Sequence, residues 1–149
     1  MPWTRRSLIA LPLLGLAPAS AEPPACQVNH AGGVALRGDD PMAWPLEPRP
    51  RPGDRRFSTT SEGVVWRFAS AAHRDRFAAD PAGFAPRFGG FCAHGVAQGY
   101  KVDIDPEAWQ IVAGRLYLND SREVHRLWAR DIPGHIAAAE ANWAAIAHV

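Results

Sequence analysis

Cysteine is scarce in this chain: Cys26 and Cys92 are the only two among 149 residues. That scarcity excludes a disulfide-stapled scaffold and a multi-thiolate metal cage. Surplus charge is lacking too. The formal net charge is +1, which argues against nucleic acid or an anionic membrane as the main partner. No stretch after Leu16 is long and apolar enough to span a bilayer. There is no repeat at solenoid spacing and no low-complexity tract beyond one proline-rich stretch. A Ser-His-Asp order and a glycine-rich phosphate loop are both missing, and no two histidines stand at ligand-pair spacing.

What is present begins with an export signal. Arg5 and Arg6 form a basic start, Leu8 to Leu16 is an apolar run of signal-peptide length, and Ala19-Ser20-Ala21 is a small-x-small cleavage site. These features predict a signal peptide over 1–21. The order Thr4-Arg5-Arg6-Ser7-Leu8-Ile9 fits a twin-arginine signal, which carries folded cargo, and equally an ordinary secretory signal with two arginines. The expected location is periplasmic or secreted, and the cleaved chain is expected to be a soluble monomer. Cleavage removes two arginines and no acid, so the formal charge moves from +1 to −1. Residues 22–32 read as a flexible leader and 33–149 as one domain. Export to an oxidising compartment allows a Cys26–Cys92 bridge, against which stands the proline-rich leader around Cys26.

Within the domain, Gly33 to Arg37 reads as a short strand followed by a turn at Gly38-Asp39-Asp40-Pro41. Pro45 to Gly53 is too rich in proline for a helix or central strand and reads as an exposed connection. Phe57–Thr60 and Val64–Phe68 form a hairpin, with Val64, Trp66 and Phe68 on one face. Ser70 caps a helix over 71–79 that turns Phe77 to the core, and Pro81 opens another helical turn. Asp105-Pro106-Glu107 reads as a helical turn or tight corner. Trp109–Val112 and Arg115–Asn119 form a second hairpin around Ala113-Gly114. Asp120 or Ser121 caps a helix to about Asp131, with Val124, Leu127 and Trp128 as its apolar stripe. Pro133 opens a last helix with Ile136, Ala139, Trp143 and Ile146 on one face. The sum is an α+β fold, short antiparallel β-hairpins packed against several helices in a single compact domain.

The chemistry-bearing segment is Phe88-Gly89-Gly90-Phe91-Cys92-Ala93-His94-Gly95. Two glycines let backbone or ligand approach closely, and a thiol beside an imidazole can bind a soft metal or do redox chemistry. Cys92 placed at the cap of a short helix through Gln98 would have the N–H groups of His94 and Gly95 aimed at its sulfur. In that geometry Cys92 and His94 face opposite ways; in an extended segment they share a face and could chelate one ion. Buried free cysteine and surface histidine are the plain alternatives. His30, His73, His125, His135 and His148 could each complete a site, but none stands at ligand-pair spacing from another. Asp39 with Asp40 and Asp103 with Asp105 are candidate acid pairs, but Asp40 before Pro41 and Asp105 before Pro106 read more simply as turn and cap residues. Trp44 reads as a loop residue over a pocket near Cys92.

Four segments together carry a resemblance: Gly38-Asp39-Asp40-Pro41-Met42-Ala43-Trp44, Gly63-Val64-Val65-Trp66-Arg67-Phe68-Ala69-Ser70, Pro86-Arg87-Phe88-Gly89-Gly90-Phe91-Cys92-Ala93 and Gly114-Arg115-Leu116-Tyr117-Leu118-Asn119. From about Val34 to Trp143 the chain resembles the exported YHS-domain family, whose members include proteins with selenocysteine at the position of Cys92. The resemblance implies a redox or soft-metal role for Cys92. The chain departs from the family pattern at Asp39, Trp44, Pro45, Trp66 and His94, and its single site cysteine leaves no multi-thiolate cage.

Three functions follow as expectations. In the first, Cys92 with His94 takes up a soft ion, copper or zinc, or meets an exported redox or metal-handling protein. In the second, Cys92 is the catalytic thiolate of a redox enzyme, which needs Cys26 or an outside thiol to resolve a sulfenic acid. In the third, Cys92 is packed and the domain docks to another protein.

Overall fold

A computed structural model describes residues 27–149. The signal peptide over 1–21, residues 22–26 of the leader and Cys26 with its bridge lie outside the described residues. The architecture is α+β, two small sheets with six α-helices. The first sheet has β1 (His30–Ala31), β2 (Val34–Ala35), β3 (Asp54–Ser61) and β4 (Val64–Phe68) in the order β1-β2-β4-β3. The second is the hairpin β5 (Asp105–Val112) and β6 (Arg115–Asn119).

Turn chemistry sets both hairpins. Glu62-Gly63 joins β3 to β4 with φ of 53° and 73°, and Ala113-Gly114 joins β5 to β6 with 49° and 75°. Two left-handed residues in a two-residue loop match the twist of the flanking strands. Alternation along β4 then buries Val64, Trp66 and Phe68, as the period-two pattern predicts.

Helix starts follow their capping residues. Ser70 accepts the N–H of His73 at 3.2 Å and opens α2 (Ala71–Ala79). Asp80 accepts that of Gly83 at 3.1 Å at the start of α3 (Pro81–Phe84). Ser121 accepts that of Val124 at 3.2 Å at α5 (Arg122–Trp128). Asp131 accepts that of Gly134 at 3.0 Å at α6 (Ile132–Ile146). Each side-chain oxygen satisfies an N–H that the helix itself leaves without a partner.

Four local expectations need correction. Pro45 lies inside α1 (Ala43–Leu46), a turn so short that its missing N–H had no intrahelical partner to lose. Asp105-Pro106-Glu107 opens β5 and is not a corner; a proline is tolerated at the first residues of a strand. Leu127 is 40 % exposed, so α5 buries Trp128 and turns Leu127 to solvent. The packed domain also reaches back to Val28 and Asn29, both buried, earlier than Gly33.

That early segment explains the paired glycines. Asn29 donates its backbone N–H to the carbonyl of Gly89 at 2.8 Å and its side-chain amide to that of Gly90 at 3.1 Å. Phe88, Gly89 and Gly90 all have positive φ, and a Cβ on Gly89 would stand 1.8 Å from the carbonyl oxygen of Gln27. The close approach is made by the chain's own backbone.

Two hydrophobic clusters result. One joins Trp44, Met42, Trp66, Phe68 and Phe77 with Cys92 and Leu118. The other joins Phe88, Tyr117, Trp128 and Ala139 with Val96 of α4 (Ala93–Ala97), and Ile136, Trp143 and Ile146 pack against it. Trp44 is wholly buried and donates its indole N–H to the Pro106 carbonyl at 3.1 Å. It is a core residue and covers no pocket.

Candidate functional site

Cys92 caps α4, as the helix-start geometry predicts. Its backbone N–H donates to the Val102 carbonyl at 3.0 Å, and it forms a parallel bridge with Leu118 of β6. The sulfur accepts the N–H of Gly95 at 3.4 Å. Its own S–H faces Asn119 Oδ1 at 3.7 Å. Asn119 is wholly buried and Cys92 is 1 % exposed. Cys92 is a free thiol.

Asn119 organises the polar groups around this sulfur. Its Oδ1 also accepts the N–H of His94 at 3.2 Å. Its Nδ2 lies 3.4 Å from Nδ1 of His125. An amide nitrogen only donates, so His125 accepts on Nδ1 and is neutral there. Burial holds the His125 imidazole below its ordinary pKa, in agreement with that role.

Opposing influences act on the thiol. Burial raises its pKa; the N–H groups of Gly95 and Asp120 lower it, the Asp120 carboxylate raises it, and the N–H of His94 lowers it. Burial wins, so Cys92 rests as a protonated thiol in a pocket of amide donors. A thiol is reactive only as the thiolate. The site therefore holds the group in its less reactive, protonated form.

His94 goes the other way from Cys92, as expected for two residues apart at a helix start. Its ring meets His135 of α6 edge-on, with centroids 5.0 Å apart. His94 Nδ1 is shut off from solvent and has no hydrogen-bond partner. His135 Nδ1 donates to the Trp128 carbonyl at 2.9 Å, which fixes the orientation of that ring. Burial, and then the charge of His135, depress the His94 pKa, with Asp120 opposing.

The cap geometry therefore separates Cys92 and His94 onto two neighbours, Asn119 on β6 and His135 on α6. Among the described residues no group of three or more His, Cys, Asp or Glu side chains is placed to hold a metal ion. A closed structural zinc site takes four ligands, so an ion at Cys92 or His94 would use fewer ligands from this part of the chain. The unpartnered Nδ1 of His94 is a free nitrogen donor beside the sulfur's helix.

Sequence reasoning missed Asn119, His125 and His135 as site residues. The available signal was weak: Asn119 is the polar last residue of an otherwise apolar strand, and both histidines flank helix stripes. Asp40 was read as a turn residue, and its Oδ1 does accept the Met42 N–H at 2.8 Å. It is also wholly buried, with Oδ2 bonded to the Ala69 N–H at 2.9 Å and to His73 Nδ1 at 2.6 Å. Asp103 pairs with Arg37 and accepts from Asn29, and Asp105 accepts the Glu107 N–H at 2.9 Å. His148 lies 3.0 Å from the Gln27 amide. These groups hold the fold and stand apart from Cys92.

No helix among the described residues is long and apolar enough to cross a membrane. Comparison with protein-family models, with curated proteins and with solved structures finds no match to this chain.

Proposed function

We propose that this chain is an exported domain of the YHS type whose working atom is the Cys92 sulfur, a guarded thiol that senses oxidants or handles a soft ion such as copper or zinc. Its partner would be that ion or an exported redox or metal-handling protein. The supporting observation is the polar seat of a buried thiol: a donor N–H at 3.4 Å and Asn119 Oδ1 at 3.7 Å. A cysteine used only as core filler needs no such seat. His94, with its unpartnered Nδ1, turns away from the sulfur in the cap geometry, so it joins a soft ion at Cys92 only if the first turn of α4 opens. Burial raises the thiol pKa, which disfavours a fast catalytic thiolate and favours a low-turnover sensor or carrier.

A second reading has its own observation. Exposure of 1 % at Cys92 also fits a packed residue in a domain that only docks to another protein. Cu(I) titration against a coloured chelator and peroxide treatment with a sulfenic-acid trap separate the two. The guarded-thiol reading expects about one ion per chain, lost in Cys92→Ser, or trapping at Cys92 in the folded protein. Asn119→Ala should speed alkylation of folded Cys92 by about tenfold, by removing the group that covers it. Alkylation only after unfolding, with neither uptake nor trapping, would leave the packed reading standing.

A further inference from the structure

A cavity of about 180 Å³ opens on the far side of the paired glycines, and Cys92 does not line it. The residues that line it include Trp66, Phe88, Trp143, Arg87 and Arg115. An apolar cavity of roughly 150 Å³ holds benzene, so this one has room for a single aromatic ring with a small polar head. The ring walls are preformed. Trp66 and Phe88 are 2 % and 4 % exposed, and Phe88 packs edge-on against Trp143 at 6.0 Å.

The two arginines differ. Arg87 is already paired with Glu140 at 3.0 Å and lies over the Phe88 ring at 5.3 Å. Arg115 donates one Nη to the Ala82 carbonyl at 3.0 Å. Its Nε is shut off from solvent and has no partner, and among the described residues no carboxylate pairs with it. Arginine is always charged in proteins. A partly buried guanidinium without a counter-ion, on the wall of an aromatic cavity, calls for an anion that brings its own apolar body. Glu62 also lines the cavity but is exposed at a hairpin tip; its charge disfavours a dianion and leaves a monoanion.

We propose that this cavity binds a small aromatic monocarboxylate, with the ring among Trp66, Phe88 and Trp143 and the carboxylate on Arg115. The site is independent of the thiol. Benzoate is the probe, titrated into the full-length protein while tryptophan fluorescence and the Arg115 Nε–H NMR signal are followed. Saturable binding is expected, with the neutral isostere benzamide weaker by about tenfold or more. Arg115→Gln should lose about the same factor, Arg115→Lys should recover part of it, and Cys92→Ser should bind benzoate unchanged. Phenylalanine tests the rim, because an ammonium drawn to Glu62 would make it bind better than benzoate and overturn the monoanion assignment. No saturable shift up to about 20 mM benzoate, equal binding of benzamide, or wild-type binding by folded Arg115→Gln would each overturn the proposal. Should Arg115→Gln fail to fold, the benzoate–benzamide comparison on the wild-type protein decides.

Discussion

The two halves of this domain treat buried polar groups in opposite ways. In the half built on β1–β4 and α2, the buried carboxylate of Asp40 accepts hydrogen bonds from the N–H groups of Met42 and Ala69 and meets His73. The indole of buried Trp44 is bonded to Pro106, and that of Trp66 to the Ser61 carbonyl. In the half built on α4, α5, α6 and β6, three buried atoms have no partner among the described residues: His94 Nδ1, Arg115 Nε and Trp128 Nε1. Native proteins leave few such atoms, and those they leave call for an explanation. The first half is a satisfied scaffold. The second carries the unpartnered donors and acceptors.

The strongest way to break this contrast is to attack the scaffold. Asp40→Ala removes a wholly buried hydrogen-bond acceptor and strands two N–H groups and an imidazole, and should cost about 4 kcal/mol in urea unfolding. A cost below about 1 kcal/mol would mean that Asp40 is not the tie described here.

The tryptophans provide a sharper comparison. Trp44→Phe loses ring volume and an indole bond to Pro106, and should cost about 2 kcal/mol in thermal unfolding. Trp128→Phe loses similar volume but removes an indole N–H that has no partner, and should cost about 1 kcal/mol less than Trp44→Phe. Equal costs would show that Trp128 Nε1 is satisfied after all.

The smallest expected effect is on pH dependence. His94 and His125 have folded pKa values depressed by burial. The unfolded chain then binds protons more readily, so their contribution is complete above the ordinary histidine value and is lost as pH falls through the lower folded values. Stability measured downward from pH 7 should decline on this limb, and His94→Gln should flatten it. An unchanged limb in both His94→Gln and His125→Gln would remove these imidazoles as its cause.

Much of the fold was legible because its signals are short. Ser70, Ser121 and the Ala113-Gly114 loop act over a few residues, and each behaves as its local chemistry dictates. The short α1 and the strand start at Asp105 were misread because one proline each outweighed the surrounding pattern. The candidate site was legible only at its centre. Cys92 at a helix cap follows from the order of glycines and small residues, whereas Asn119, 27 positions away, carries no local mark of its role.

By itself the sequence determined the hairpins, the helix starts and the position of the thiol at a helix N-terminus, because backbone sterics and capping bonds act between near neighbours. Only the tertiary structure decided that the sulfur is buried, that Asn119 and not His94 faces it, that His94 turns to His135, and that Gly89 yields to the backbone of Gln27. Those outcomes depend on which distant surfaces pack together, and burial pushes the Cys92 thiol and the His94 and His125 imidazoles towards their neutral forms.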